Sequence, residues 1–156
     1  TLLFGLASGS FIPRQTLEQV GLMREEFWID YIDYEFSFRV RKRGYRILGV
    51  GGARLNHRLG MTNYQKIFGK VLAYQVHPAF RRYTIYRNRV TVIKEYSTLF
   101  PDFLIFEVLS MAKDLLKLAL LEDQKFNKLR AIFIGIMHGM TGSFNRGISD
   151  REGDEY

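Results

Sequence analysis

Asp30, Asp33 and Glu35 stand at i, i+3 and i+5 in the stretch Phe27-Trp28-Ile29-Asp30-Tyr31-Ile32-Asp33-Tyr34-Glu35. Such a cluster near a helix start has three chemical readings. It can supply a general base, hold a cation, or cap the helix, because negative charge suits the positive end of the helix dipole. From the residues alone, capping is the plainest of the three.

Those carboxylates depend on the elements that carry them. Residues 1–12 read as a strand and a Gly/Ser turn, and Pro13 opens a short helix over Arg14 to Val20 that stops at Gly21. Asp30 is the candidate N-cap of a helix running to Arg43 and ending at Gly44, with Ile32, Phe36 and Val40 facing the core. In that reading Arg39, Arg41, Lys42 and Arg43 are solvated. Residues 45–50 alternate like a strand, and residues 53–57 form a short strand ending at His57. Beyond this the pattern turns helical. Tyr64, Ile67, Phe68, Val71 and Leu72 fit one face, and Phe80 to about Thr98 reads as a basic, aromatic helix. Phe103 to Leu121 is a long helix with a wide apolar surface, its polar residues Glu107, Ser110, Lys113, Asp114 and Lys117 forming a narrow stripe. Leu129, Ile132, Phe133, Ile136, Met137 and Met140 give the strongest amphipathic signal. The tail from Ser149 to Tyr156 reads as frayed. An α/β first third is therefore expected, then an all-helical remainder, with the boundary near residues 58–64.

Composition sets bounds. The 156 residues are 47% hydrophobic and 25% charged, enough apolar material for a core. Thr1 opens directly on an apolar stretch with no basic region before it, so the chain is expected to be cut from a longer protein. With no cysteine, thiol catalysis and cysteine-ligated zinc are excluded. A net charge of +7 favours anionic partners such as nucleic acid, acidic lipid or diphosphates. No uncharged apolar run reaches the ~18 residues of a membrane span.

Four segments, in order, resemble the C-terminal half of an inverting family 2 glycosyltransferase of the GT-A type, in its rhamnosyltransferase-like branch. Ala7-Ser8-Gly9-Ser10-Phe11-Ile12-Pro13 is similar to that family's acceptor-side turn. The stretch IDYIDYEFSFRVRKRGYRI, from Ile29 to Ile47, is similar to its acidic motif, Arg-rich turn and following strand. Arg54-Leu55-Asn56-His57-Arg58-Leu59-Gly60 looks like the segment closing the catalytic core. Arg81-Arg82-Tyr83-Thr84-Ile85-Tyr86-Arg87-Asn88-Arg89 resembles a basic helix of the branch. The likeness covers about residues 7–95 and continues loosely through Gly135-Ile136-Met137-His138-Gly139-Met140.

The resemblance implies specific roles. Asp33 matches the catalytic base that takes the acceptor hydroxyl's proton as it attacks the anomeric carbon. Glu35 orients the base or the acceptor, and Asp30 is the second choice for the base. Many relatives carry Glu just before the catalytic aspartate; here that residue is Ile32, which weakens any joint action of two motif carboxylates. Ser8, Gly9 and Ser10 either bind acceptor hydroxyls or form an ordinary turn. Trp28 and Tyr31 either stack on a sugar ring or belong to the core. His57 either completes a metal site or contacts the donor diphosphate, with Arg58 beside it for phosphate, or is a strand-end core histidine. His77 and His138 are read as structural. The cluster from Arg81 to Arg89 either meets a lipid diphosphate or anionic membrane or is a solvated face.

The implied fold is α/β, with residues 1–62 the acceptor-side part of a GT-A core and 63–156 a helical region. The implied cofactor is Mg²⁺ or Mn²⁺, with its main ligands in an N-terminal half that this chain lacks, so the fragment alone is expected to be inactive. The implied partners are a nucleotide-sugar donor, such as dTDP-rhamnose, and a saccharide or lipid-linked acceptor of bacterial surface polysaccharide synthesis. A cytoplasmic place at the inner membrane face, contact with an anionic membrane surface and a homo-oligomer are also expected, and no nucleic acid. The competing readings are a basic nucleic-acid-binding module and a membrane-surface or oligomerisation module without catalysis.

Overall fold

The computed structural model describes residues 1–56, 63–67 and 70–144, with the backbone alone for residues 63–67 and 70–74. Among these described residues five α-helices carry the architecture: α1 (Arg14–Val20), α2 (Ile32–Lys42), α3 (Ala79–Tyr96), α4 (Pro101–Leu121) and α5 (Lys125–Thr141). A single 3-10 turn, Glu25–Phe27, precedes α2. Two strands, β1 (Asn63–Ile67) and β2 (Lys70–Tyr74), form an antiparallel hairpin in which Ile67 pairs with Lys70 and Asn63 with Tyr74.

The α/β expectation is corrected here. Among the described residues, 1–12 and 45–56 build no sheet; Leu2 and Ile47 make one isolated antiparallel bridge. The apolar alternation of 45–50 is real, but among the described residues no further strand lies beside it to complete a ladder, and Leu48 and Val50 stay exposed. The first segment instead satisfies its amides with side chains of α2: Gly5 N–H donates to Ser37 Oγ at 3.1 Å and Ala7 N–H to Asp33 Oδ1 at 3.1 Å. The hairpin occupies the stretch read as helical from Tyr64 to Leu72. Apolar residues spaced three and four apart also fit two short strands, and tyrosine, isoleucine and valine favour the strand. The result is a helical fold with one hairpin, not a GT-A sheet.

The helix boundaries follow local chemistry. Gly21 closes α1 at φ 90° and returns its N–H to Leu17 C=O. Pro101 sits at the first position of α4, where a missing N–H costs nothing. Two clusters form the core. Val20, Phe36 and Val40 join α1 to α2. Phe27, Phe38, Val92, Tyr96 and Phe103 join the 3-10 turn, α2, α3 and α4. Phe38 is central, with its ring centroid 4.6 Å from Phe103 and 4.8 Å from Phe100.

Helix α3 is the hub, and α5 lies against it at backbone contact. The stripe that α5 buries is Lys128, Ala131, Ile132, Gly135 and Gly139, while Phe133, Met137 and Met140 from the amphipathic repeat point outward. A Cβ on Gly135 would stand 2.5 Å from Tyr83 O, and one on Gly139 2.5 Å from Arg87 O. Backbone cannot swing aside as a side chain does, so Gly135→Ala must push the helices apart. Its better helix propensity recovers about 1 kcal/mol at most. A net loss of up to about 2 kcal/mol is expected by urea denaturation, and an unchanged midpoint would show that the two helices do not pack this closely.

Candidate functional site

The acidic stretch forms a corner rather than a simple helix cap. Trp28, Asp30 and Tyr31 all adopt positive φ, at 51°, 59° and 65°, a conformation that costs non-glycine residues of order 1–3 kcal/mol each. Helix α2 then starts at Ile32 with no side-chain cap, so Asp30 is not the N-cap that the sequence suggests.

The corner is held from α3. Asn88, fully buried, donates from Nδ2 to the carbonyls of Phe27, Ile29 and Asp30 at 2.9, 2.9 and 3.0 Å. Arg87 donates to Glu26 C=O at 2.8 Å. Arg81 grips Asp30 through two parallel bonds, Nε to Oδ2 and Nη2 to Oδ1, both 3.0 Å. Tyr31 donates its hydroxyl to Glu107 Oε2 at 2.6 Å and accepts from Arg89 Nε. Burial pushes the Tyr31 hydroxyl well above the ordinary phenol range, and the Arg89 charge only partly offsets it. The Arg/Tyr run 81–89, read either as a phosphate or membrane contact or as a solvated face, is instead the clamp on this corner. Arg82, Arg87 and Arg89 are buried. The motif was visible as a string of residues; its partners on the corner lie 51 to 61 residues away in the chain and were not.

The three carboxylates therefore separate. Asp30 has both oxygens on Arg81. Glu35 is buried, paired with Arg39 at 3.0 Å and accepting the Tyr96 hydroxyl at 3.0 Å. Its partner Arg39, read as solvated, also donates to the carbonyls of Val20 and Leu22. Asp33 is half-buried and carries no cationic partner among the described residues; its Oδ1 accepts the Ala7 amide.

That amide opens the Ala7-Ser8-Gly9-Ser10 turn, which Ser10 N–H closes on Ala7 C=O at 3.0 Å. Gly9 sits at φ 77°, with the Leu55 side chain 3.0 Å from where a Cβ would be. The turn, the acidic corner and the chain at Leu55 thus meet. Ser8, Gly9 and Ser10 are exposed, and Trp28 presents its ring at 70% exposure. His57 and Arg58 lie outside the described residues, as does the tail from Ser149 to Tyr156. His138 is bonded to the Tyr83 hydroxyl at 2.9 Å. His77 borders a cavity of about 500 Å³ with Glu122 and Lys128, and burial, reinforced by Arg81, lowers its pKa.

Among the described residues no three of His, Asp and Glu converge as a metal site, and two of the three corner carboxylates are committed to arginines. The described part does not fit a divalent metal.

A second charged network ties α4 to α3. Arg82, wholly buried, donates to Asp114 and to Glu122, and Lys128 reaches Glu122 at 2.9 Å. Burial pushes the Asp114 pKa up, but Arg82 and Lys117, with hydrogen bonds from Lys117 and Tyr86, outweigh it and leave the carboxyl below its ordinary value. A depressed folded-state pKa gives stability that is present above the unfolded value near pH 3.9 and lost as pH falls through the folded one. Asp114→Asn is therefore expected to flatten the acid limb of stability, read as urea midpoints between about pH 2 and 5. A limb as steep as the wild type's would exclude Asp114 as a contributor.

No protein-family model and no solved structure matches the chain. Over 90 residues it is 29% identical to the dTDP-rhamnosyl transferase RfbF of Shigella flexneri, a match that covers 58% of this chain and 29% of that protein. The chain thus spans well under two thirds of the relative's length, and its likeness is a partial one to a glycosyltransferase.

Proposed function

We propose that this chain is the acceptor-side segment of a glycosyltransferase that moves a sugar, rhamnose in the first instance, from a nucleotide-sugar to a saccharide or lipid-linked acceptor. Asp33 is the base of an inverting transfer. It takes the proton from the acceptor hydroxyl as that oxygen attacks the anomeric carbon and the nucleoside diphosphate leaves.

The observation that carries this reading is the state of Asp33. It alone of the three clustered carboxylates has no cationic partner among the described residues, and its Oδ1 is aimed by the Ala7 amide beside the exposed Ser8-Gly9-Ser10 turn. A base must be fixed in direction yet free to accept a proton, and a single amide bond leaves lone pairs on the carboxylate for that. The positive-φ corner adds support, because strain held by several buried donors is characteristic of sites where position matters. The exposed Trp28 ring offers a face for a sugar. The partial likeness to a rhamnosyl transferase supplies the reaction class.

The test is sugar transfer by the protein at its full encoded length, supplied with a panel of nucleotide-sugars and read as release of nucleoside diphosphate. Turnover with dTDP-rhamnose and not with the other donors is the expected result. Failure of every donor to bind or turn over would overturn the reading.

A further inference from the structure

Helix α4 is turned inside out. Its polar residues Glu107, Asp114 and Lys117 face the protein, with Phe103 and Leu118 among them, while leucine, isoleucine, valine and phenylalanine point away. Ile105, Leu109, Leu116 and Leu120 are 62%, 66%, 60% and 68% exposed. We infer that this outer face of α4 docks in the plane of an anionic lipid bilayer.

Three features select a bilayer over other occupants. The first is charge. Of the charged residues of α4, Asp102 in the first turn and Lys113 are exposed. Glu107 and Asp114, and Glu122 just past the helix end, are turned inward and neutralised by Arg89, Arg82, Lys117 and Lys128. Past its first turn the outer face therefore presents no exposed acid to repel an anionic headgroup, and the whole chain carries +7.

The second is the position of that lysine. At about 3.6 residues per turn, Ile105, Leu109, Ala112 and Leu116 run along the middle of the outer face and Lys113 along its edge. A lysine there can lay its stem on the apolar surface and lift its ammonium to the phosphates.

The third is width. Exposed residues from Leu104 round to Phe106 occupy an arc of about 200°, whereas a neighbouring helix covers a stripe of about 100°. A second copy packed helix against helix would leave half of this face wet. The acyl boundary of a bilayer accepts the whole arc, along a helix whose 21 residues span about 30 Å. Docking is in the plane because the inward stripe is bonded along its length, to α3 at Glu107 near one end and at Asp114 towards the other, where Lys117 also donates to Gln75 C=O.

The experiment is flotation of the full-length protein with vesicles of phosphatidylcholine alone and of phosphatidylcholine mixed with phosphatidylglycerol. It is expected to float with the mixed vesicles and more weakly with the neutral ones. Leu109→Glu with Leu116→Glu is expected to weaken binding at least about 100-fold, since each buried leucine contributes tenfold or more. Lys113→Glu should weaken binding to the mixed vesicles about thirty-fold, two unit charges at about five-fold each. All three positions are exposed, so thermal melts by circular dichroism should match the wild type and separate lost docking from lost folding. The proposal fails if the folded wild type stays out of the floating fraction, or if the double variant floats as well as it does. It also fails if sedimentation shows a dimer that the double variant dissolves and vesicles do not displace, because a second copy then covers the face.

Discussion

Asp33→Asn is expected to slow sugar transfer by the full-length protein at least about 100-fold, within the range that a positioned general base contributes. Asparagine keeps the size and one carbonyl oxygen, so the Ala7 amide, 3.1 Å from Asp33 Oδ1, retains its acceptor. Stability should therefore stay within about 0.5 kcal/mol of the wild type, and donor binding should not change. The other two acids behave differently because they are already spoken for. Asp30→Asn gives up the charge-paired grip of Arg81 on a positive-φ corner, and Glu35→Gln leaves Arg39 without its buried carboxylate. Both should lower stability, and any loss of rate they cause should follow loss of folded protein. The discriminating measurement is rate per folded molecule for the three variants side by side. If the Asp33→Asn enzyme turns over within a few-fold of wild type, Asp33 is an anchor for the turn and the base lies elsewhere.

The sequence made the helices legible and the pairing of charges illegible. Helix α1 is read to the residue, because a proline opens it and Gly21 at positive φ closes it. Helices α3 and α4 are bounded by Pro78 and Pro101. These signals act within a turn of the chain. The strand readings failed for the opposite reason. An alternating stretch such as 45–50 becomes a sheet strand only if a partner is present, and here its described neighbour is one bridge from Leu2. Arg82 and Arg89 looked like a solvated basic face because their carboxylates, on and just after α4, are far away in sequence. The stripe of α4 shows the same limit from the other side. Periodicity displays two faces, but which one turns inward depends on what the neighbour offers, and α3 offers guanidinium groups. The Ala7–Asp33 bond that joins the acidic motif to the Ser8-Gly9-Ser10 turn was not legible in the sequence. Nor was the α3 clamp on the corner, although the string Arg87-Asn88-Arg89 that builds it was in view.

Glu107→Leu is the substitution expected to damage the fold most through a single group. The Glu107 side chain is 1% exposed, and its Oε2 lies 2.8 Å from Arg89 Nε and 2.6 Å from the Tyr31 hydroxyl. Arg89 is itself buried and has no other carboxylate partner among the described residues; it rests against the rings of Tyr31 and Tyr86 at 5.5 and 4.9 Å. Leucine fills most of the space but leaves a guanidinium out of water with its counter-charge gone, a change that costs about 3–5 kcal/mol. Against a typical total of about 5–15 kcal/mol this is a large share. Arg89→Met alone should cost a similar amount by stranding Glu107. The double variant removes both charges together and should lie within about 1–2 kcal/mol of the wild type, because apolar replacement of a whole buried pair is near neutral. A coupling energy of about 3 kcal/mol or more in this cycle is the expected signature, read from urea denaturation of all four proteins. Additive losses would mean that the two groups do not interact as drawn. The pair also fixes Tyr31, which stands at φ 65° immediately before α2. Glu107→Leu should therefore lower the rate of transfer per folded molecule, and Tyr31→Phe, which removes the hydroxyl and keeps both charges, should do so to a smaller extent.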